Sequence, residues 1–66
     1  MTYTVYFKDG ANRGSFAVDA ITETAGGDWT SSTNDVAIIE SVEDSEYMDD
    51  ILDNDERVES YKKSEQ

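Results

Sequence analysis

Between Glu43 and Glu56, eight of fourteen residues are carboxylates and none is basic, yet Tyr47, Met48, Ile51 and Leu52 stand among them. That mixture limits the fold more than any other feature of the chain. A block of like charge is ordinarily a solvated tail, but disordered acidic tails are poor in large apolar residues, so this segment is expected to be ordered. With Ser45 to Asn54 as a helix and Asp44 or Ser45 at its N-cap, steps of about 100° gather Tyr47, Met48, Ile51 and Leu52 into an arc of about 140°. Glu46, Asp49, Asp50 and Asp53 fall in an opposite arc of about 100°. One face is expected to pack on a sheet while the other is wholly carboxylate. Local rules are broken on that face. Asp50 and Asp53 near the C-terminus oppose the helix dipole, and the i, i+4 pairs Glu46/Asp50 and Asp49/Asp53 repel by a few tenths of a kcal/mol each, on the order of 0.3. The face therefore serves something other than helix stability, or serves solubility alone.

The rest of the chain supplies the sheet. Thr2 to Lys8 alternates, with Tyr3, Val5 and Phe7 on one side, and its β-branched and aromatic residues predict a strand. Asp9 to Gly14 is turn chemistry. Ser15 to Thr24 alternates again, with Phe16, Val18 and Ala20 on one face, predicting a second strand in an antiparallel hairpin. Ala25 to Asn34 reads as a loop. Asp35 to Val42 is a short apolar run expected to be the most buried strand. Val58 and Tyr61 suggest a weaker last strand or an extended tail, and Ser64 to Gln66 are expected to fray. The order β-β-β-α-β predicts an α+β fold: one domain over residues 1–66, a small antiparallel sheet with one amphipathic acidic helix packed on it. Strand, helix and strand from Asp35 to Tyr61 look like half of a ferredoxin-like module.

Composition then excludes chemistry. Sixty-six residues with 16 acids, 5 bases and no His carry a formal charge of −11. Without Cys or His there is no disulfide, thiolate zinc site, imidazole ligand or Ser-His-Asp triad. Paired carboxylates for acid–base catalysis need a cleft that raises one pKa, whereas these acids lie on an expected solvated face, so no enzyme activity and no catalytic residue are expected. Asp53 to Glu59 alternates oxygen ligands as a calcium loop does, but the sixth and twelfth positions are Val58 and Ser64 where Gly and Glu are required. No metal or other cofactor is expected. Gly26-Gly27 lacks the rest of a phosphate-binding loop. No run of 18 apolar residues and no basic leader occurs, which predicts neither a membrane span nor a secretory signal, and fits a cytoplasmic location.

The acidity is regional. Residues 1–34 hold four acids against Lys8 and Arg13, whereas residues 35–66 hold twelve against Arg57, Lys62 and Lys63. Such a chain repels nucleic acid and membrane and favours a basic partner. From Asp44 to Asn54, five acids on eleven residues at about 1.5 Å rise give about one charge per 3.3 Å, close to the 3.4 Å of one strand of duplex DNA. The expected partner-binding residues are Glu43, Asp44, Glu46, Asp49, Asp50, Asp53, Asp55 and Glu56, with Asp35, Glu40 and Glu59 as flanks. Other readings are an acidic surface kept for solubility or salt adaptation, against which the regional distribution counts, and an adaptor docking through the sheet or through Trp29. Trp29 itself reads as an interface anchor or as a plug folded back onto the core, the second being favoured in so small a domain.

In its size, acidity, lack of Cys, His and Pro, and concentrated carboxylate face, the chain resembles small phage-encoded DNA-mimic inhibitors. That group includes anti-CRISPR proteins, anti-restriction proteins and inhibitors of uracil-DNA glycosylase. The resemblance lies in overall profile and not in a shared motif. It implies a protein that occupies the DNA-binding channel of a basic host protein, a Cas subunit first, in the cytoplasm of a bacterial host.

Overall fold

The computed structural model describes residues 1–64. Tyr3, Val5 and Phe7 alternate along β1 (Thr2–Phe7) and are all buried, as the strand pattern requires. There follow a short 3-10 turn (Arg13–Ser15), α1 (Phe16–Ala25), β2 (Asp28–Ser32), β3 (Val36–Glu40), α2 (Ser45–Asn54) and β4 (Val58–Ser64). The four strands form one sheet in the order β2-β3-β1-β4, every neighbouring pair antiparallel. The fold is α+β, with the acidic helix present over the expected residues.

Ser15 to Thr24 corrects the sequence reading: it is helical. Its apolar residues satisfy two periods at once. A strand would have paired Phe16 with Val18 and Ala20, but the helix buries Ala17, Val18 and Ile21 and leaves Phe16 75% exposed. Gly14 and Ser15, at φ 64° and 62°, take two left-handed steps that turn the chain into the helix, and Gly26 ends it. Because α1 consumes the expected second strand, the strand comes from the expected loop. β2 buries little of its own, since Asp28 to Ser31 are exposed. Pairing with β3, from Asp28↔Glu40 to Ser32↔Ala37, makes it a strand.

The element order is thus β-α-β-β-α-β with two helices, in place of β-β-β-α-β with one. That is the order of the whole ferredoxin-like arrangement: the half expected from Asp35 to Tyr61 is joined by a second half, β1-α1-β2. The core lies between helices and sheet, built from Tyr3, Val5, Phe7, Ala37 and Ile39 below and Ala17, Val18, Ile21, Met48 and Leu52 above. Thr4, Tyr6, Val36 and Ile38 occupy the opposite, uncovered face. β4 pairs with β1 along its length, Thr2↔Ser64 through Phe7↔Val58, so Ser64 belongs to the strand; Glu65 and Gln66 lie outside the described residues. Among those described, no helix is long and apolar enough to cross a membrane.

Candidate functional site: the carboxylates of α2

Asp44 caps α2, its carboxylate accepting the Tyr47 N–H at 3.0 Å, and Glu46 in the first turn adds a favourable charge at the helix N-terminus. Met48 and Leu52 are buried and Ile51 is half-buried, as the apolar arc predicts. Tyr47 is not buried: 43% of it is exposed. The buried face is turned away from Tyr47 and toward Asp49, because the buried Tyr3 hydroxyl and Lys63 wait on that side.

Asp49 is consequently a structural carboxylate. It accepts the Tyr3 hydroxyl at 2.7 Å and Lys63 Nζ at 2.5 Å, with its side chain 26% exposed. The hydrogen bond from Lys63 chiefly holds its carboxyl below the ordinary value, Tyr3 helping and desolvation opposing. Asp49 therefore leaves the expected outer face. Asp53 is exposed on the same flank and accepts the Tyr61 hydroxyl at 2.9 Å. Burial first, and this bond second, push the Tyr61 phenol up to about 12.

Glu46 and Asp50 remain on the outward face, with Asp53 at its shoulder. Asp50 takes a hydrogen bond from the Asn54 side-chain amide at 3.1 Å. These three lie four and three residues apart, about 6 and 4.5 Å along the axis. The outward spacing is thus about one carboxylate per 5 Å, looser than the 3.3 Å obtained when every acid of the helix counts. Glu43 and Asp44 sit beside Gly27 and Asp28 at one end of the helix. At the other end Arg57 grips Asp55 with Nε at 2.9 Å and Nη2 at 2.6 Å, lowering the Asp55 carboxyl, while Glu56 is exposed. Of the flanking acids, Asp35 accepts the Gly10 N–H at 3.1 Å, and Glu40 and Glu59 are exposed.

The resulting ridge is little neutralised. Among the described residues, Asp49 and Asp55 are the carboxylates that meet a lysine or arginine within 4 Å. The donors that orient Asp50 and Asp53, an amide and a phenol, carry no charge. The described residues contain no cluster of acids arranged to hold a metal ion. Helix α1 adds Asp19 and Glu23, both exposed, to the same layer. The strand assignment hid them; the spacing Ala17, Val18, Ile21, Ala25 was the signal for a helix. Trp29 is not a plug: it is 39% exposed on β2, and its indole N–H donates to Asp19 at 3.1 Å.

Comparison with protein-family models, curated proteins and solved structures finds no match to this chain.

Proposed function

We propose that this protein is a non-enzymatic inhibitor that offers phosphate-like charge to the DNA-binding channel of a bacterial defence protein, acting in the bacterial cytoplasm. The observation that supports this reading is the state of the α2 ridge: Glu46, Asp50 and Asp53 face outward and, among the described residues, no lysine or arginine lies within 4 Å of their carboxylates. A basic channel that normally grips phosphates gains charge-assisted contacts from such a ridge without first breaking ion pairs within the inhibitor. The Asn54 amide and the Tyr61 hydroxyl already orient Asp50 and Asp53, so less side-chain freedom is lost on binding. A CRISPR effector is the first choice, because such complexes hold nucleic acid along extended basic channels. A restriction enzyme or a uracil-DNA glycosylase presents the same chemistry and is the alternative. Blockade is stoichiometric, fast through electrostatic steering, and weakened by salt.

The test is competition. Labelled duplex DNA bound to each of the three candidate targets is displaced with this protein at increasing ionic strength. Displacement that falls as salt rises, and that drops at least about tenfold for the Glu46→Lys, Asp50→Lys double variant, supports the reading. Asp49 is left unchanged because its loss would damage the fold. Undiminished displacement by a folded double variant overturns charge mimicry and leaves the adaptor reading.

A further inference from the structure

The outer edge of β4 is an open hydrogen-bonding rail with a shaped notch beside it. The Phe7 N–H donates to the Asp35 carbonyl at 2.7 Å, toward β3. Alternation along β1 then turns the backbone polar groups of Tyr6 and Thr4 toward β4, where they pair with Ser60 and Lys62. Between those residues, Tyr61 and Lys63 direct their N–H and C=O groups outward. The register from Ser60 to Ser64 is unbroken, the one irregularity falling at Tyr6/Phe7. The other edge of the sheet differs: β2 is interrupted between Trp29 and Ser31, and the Ser32 hydroxyl is engaged by Asn12 and Ser15. That break blunts β2, whereas β4, although it carries Lys62, Lys63 and an extra residue, Glu59, opposite the Tyr6/Phe7 step, keeps a continuous run from Ser60 to Ser64.

The notch lies between α2 and β4, lined by Leu52, Asp53, Val58, Glu59, Ser60 and Tyr61. Leu52 and Val58 are buried, while Asp53 and Glu59 are exposed. Two exposed carboxylates beside the half-buried Tyr61 ring suit a side chain with an aliphatic stem and a cationic head. Lys63 is occupied by Asp49 and Arg57 by Asp55, and among the described residues no lysine or arginine lies within 4 Å of the Asp53 or Glu59 carboxylate.

We propose that the β4 edge accepts an extended segment of a partner protein as a fifth strand, with an arginine or lysine of that segment seated against Asp53 and Glu59. The inference rests on the basic-partner reading above and adds a docking mode, strand addition, in which backbone pairing supplies affinity and the notch selects the side chain. A second copy of this chain is a poor occupant, because edge pairing would join two bodies of charge −11.

The test is an NMR titration of the isotope-labelled protein with a short peptide alternating threonine and valine about one central arginine. A second peptide carries citrulline, which keeps the shape and removes the charge. Expected are slowed amide exchange at Tyr61 and Lys63, shifts at Asp53 and Glu59, and about tenfold weaker binding of the citrulline peptide. Lys63→Pro removes the outward N–H and abolishes binding, whereas Lys63→Ala, which also loses the ion pair to Asp49, retains it. Should the proline variant fail to fold, Asp53→Asn with Glu59→Gln must weaken the arginine peptide and leave the citrulline peptide unchanged. Shifts confined to Glu46 and Asp50, with unaltered exchange at Tyr61 and Lys63, overturn edge docking while sparing the charge-mimic reading. Equal affinity for the two peptides overturns the role of the notch. Absence of binding by both, with DNA displacement intact, overturns edge docking alone.

Discussion

Asn12, fully buried in a segment that reads as a turn, joins three parts of the molecule. Its side-chain amide donates to the Ser32 hydroxyl at 2.8 Å and the Thr33 carbonyl at 2.7 Å, and its oxygen accepts the Val18 N–H at 2.8 Å. It thereby supplies the cap that Ser15, with no side-chain bond to the helix end, does not. Asn12→Ala takes this partner from the Thr33 carbonyl and the Val18 N–H, while the Ser32 hydroxyl keeps Ser15, and is expected to cost about 2–3 kcal/mol in urea unfolding, with α1 the first element to lose amide protection. The carboxylates give a pH prediction with a definite sign. The Asp49 and Asp55 carboxyls are lowered from 3.8 by Lys63 and Arg57, so their contribution is complete above that value and is lost as pH falls below it. The Tyr61 phenol moves the other way, from 10.0 to about 12, chiefly by burial. The unfolded chain gives up that proton first, so stability declines as pH rises from 10.0 toward about 12. Urea midpoints measured across pH are expected to fall at both ends; Asp49→Asn should shrink the acid arm and Tyr61→Phe the alkaline arm. Asp44 as the cap of α2 was legible because its partner is three residues away. Asn12 was not, because two of its partners are 20 and 21 residues away.

Among the elements, α2 was readable to its ends and α1 was not. In α2 only the helical period separates apolar from charged residues, whereas Ser15 to Thr24 fits either period and carries β-branched Val18, Ile21 and Thr22. Burial decides it: the helix places Ala17, Val18 and Ile21 on the sheet, where Ala37 and Ile39 need cover. The turn that follows is strict. Gly27 has φ 90°, and a Cβ there would stand 3.0 Å from the Glu40 carbonyl oxygen and 3.1 Å from an Ile39 methyl. Gly27→Ala is therefore expected to lower stability by about 2 kcal/mol in thermal unfolding. Gly26→Ala, at φ 89° but with nothing within 4 Å of the added carbon, should lose about half as much. Equal losses would show that the approach of β2 to β3 at this point is not tight.

At the scale of the whole molecule, charge separates by layer. The helix side carries Asp19, Glu23, Glu46, Asp50 and Asp53, all exposed, while on the uncovered sheet face Lys62 stands opposite Thr4 among Tyr6, Val36 and Ile38. With so few ion pairs against a charge of −11, self-repulsion lowers stability. Sodium chloride, shortening the screening length from about 10 Å at 0.1 M to about 3 Å at 1 M, is expected to raise the melting temperature by about 5 °C. A fall in melting temperature over that range would mean that Asp49–Lys63 and Asp55–Arg57 outweigh the repulsion. The amino-acid sequence by itself determined β1, β3, α2, the α+β class and the regional acidity, because each rests on local period or composition; that the segment from Val58 to Ser64 pairs with β1 was decided by the tertiary structure. Only the tertiary structure decided that Ser15 to Thr24 coils and that Asp28 to Ser32 pairs. It also decided that Asp49 turns inward to Tyr3 and Lys63 while Glu46 and Asp50 stay outside. Those outcomes depend on which surface a residue meets across the sheet, and no local pattern encodes a partner forty-six residues away.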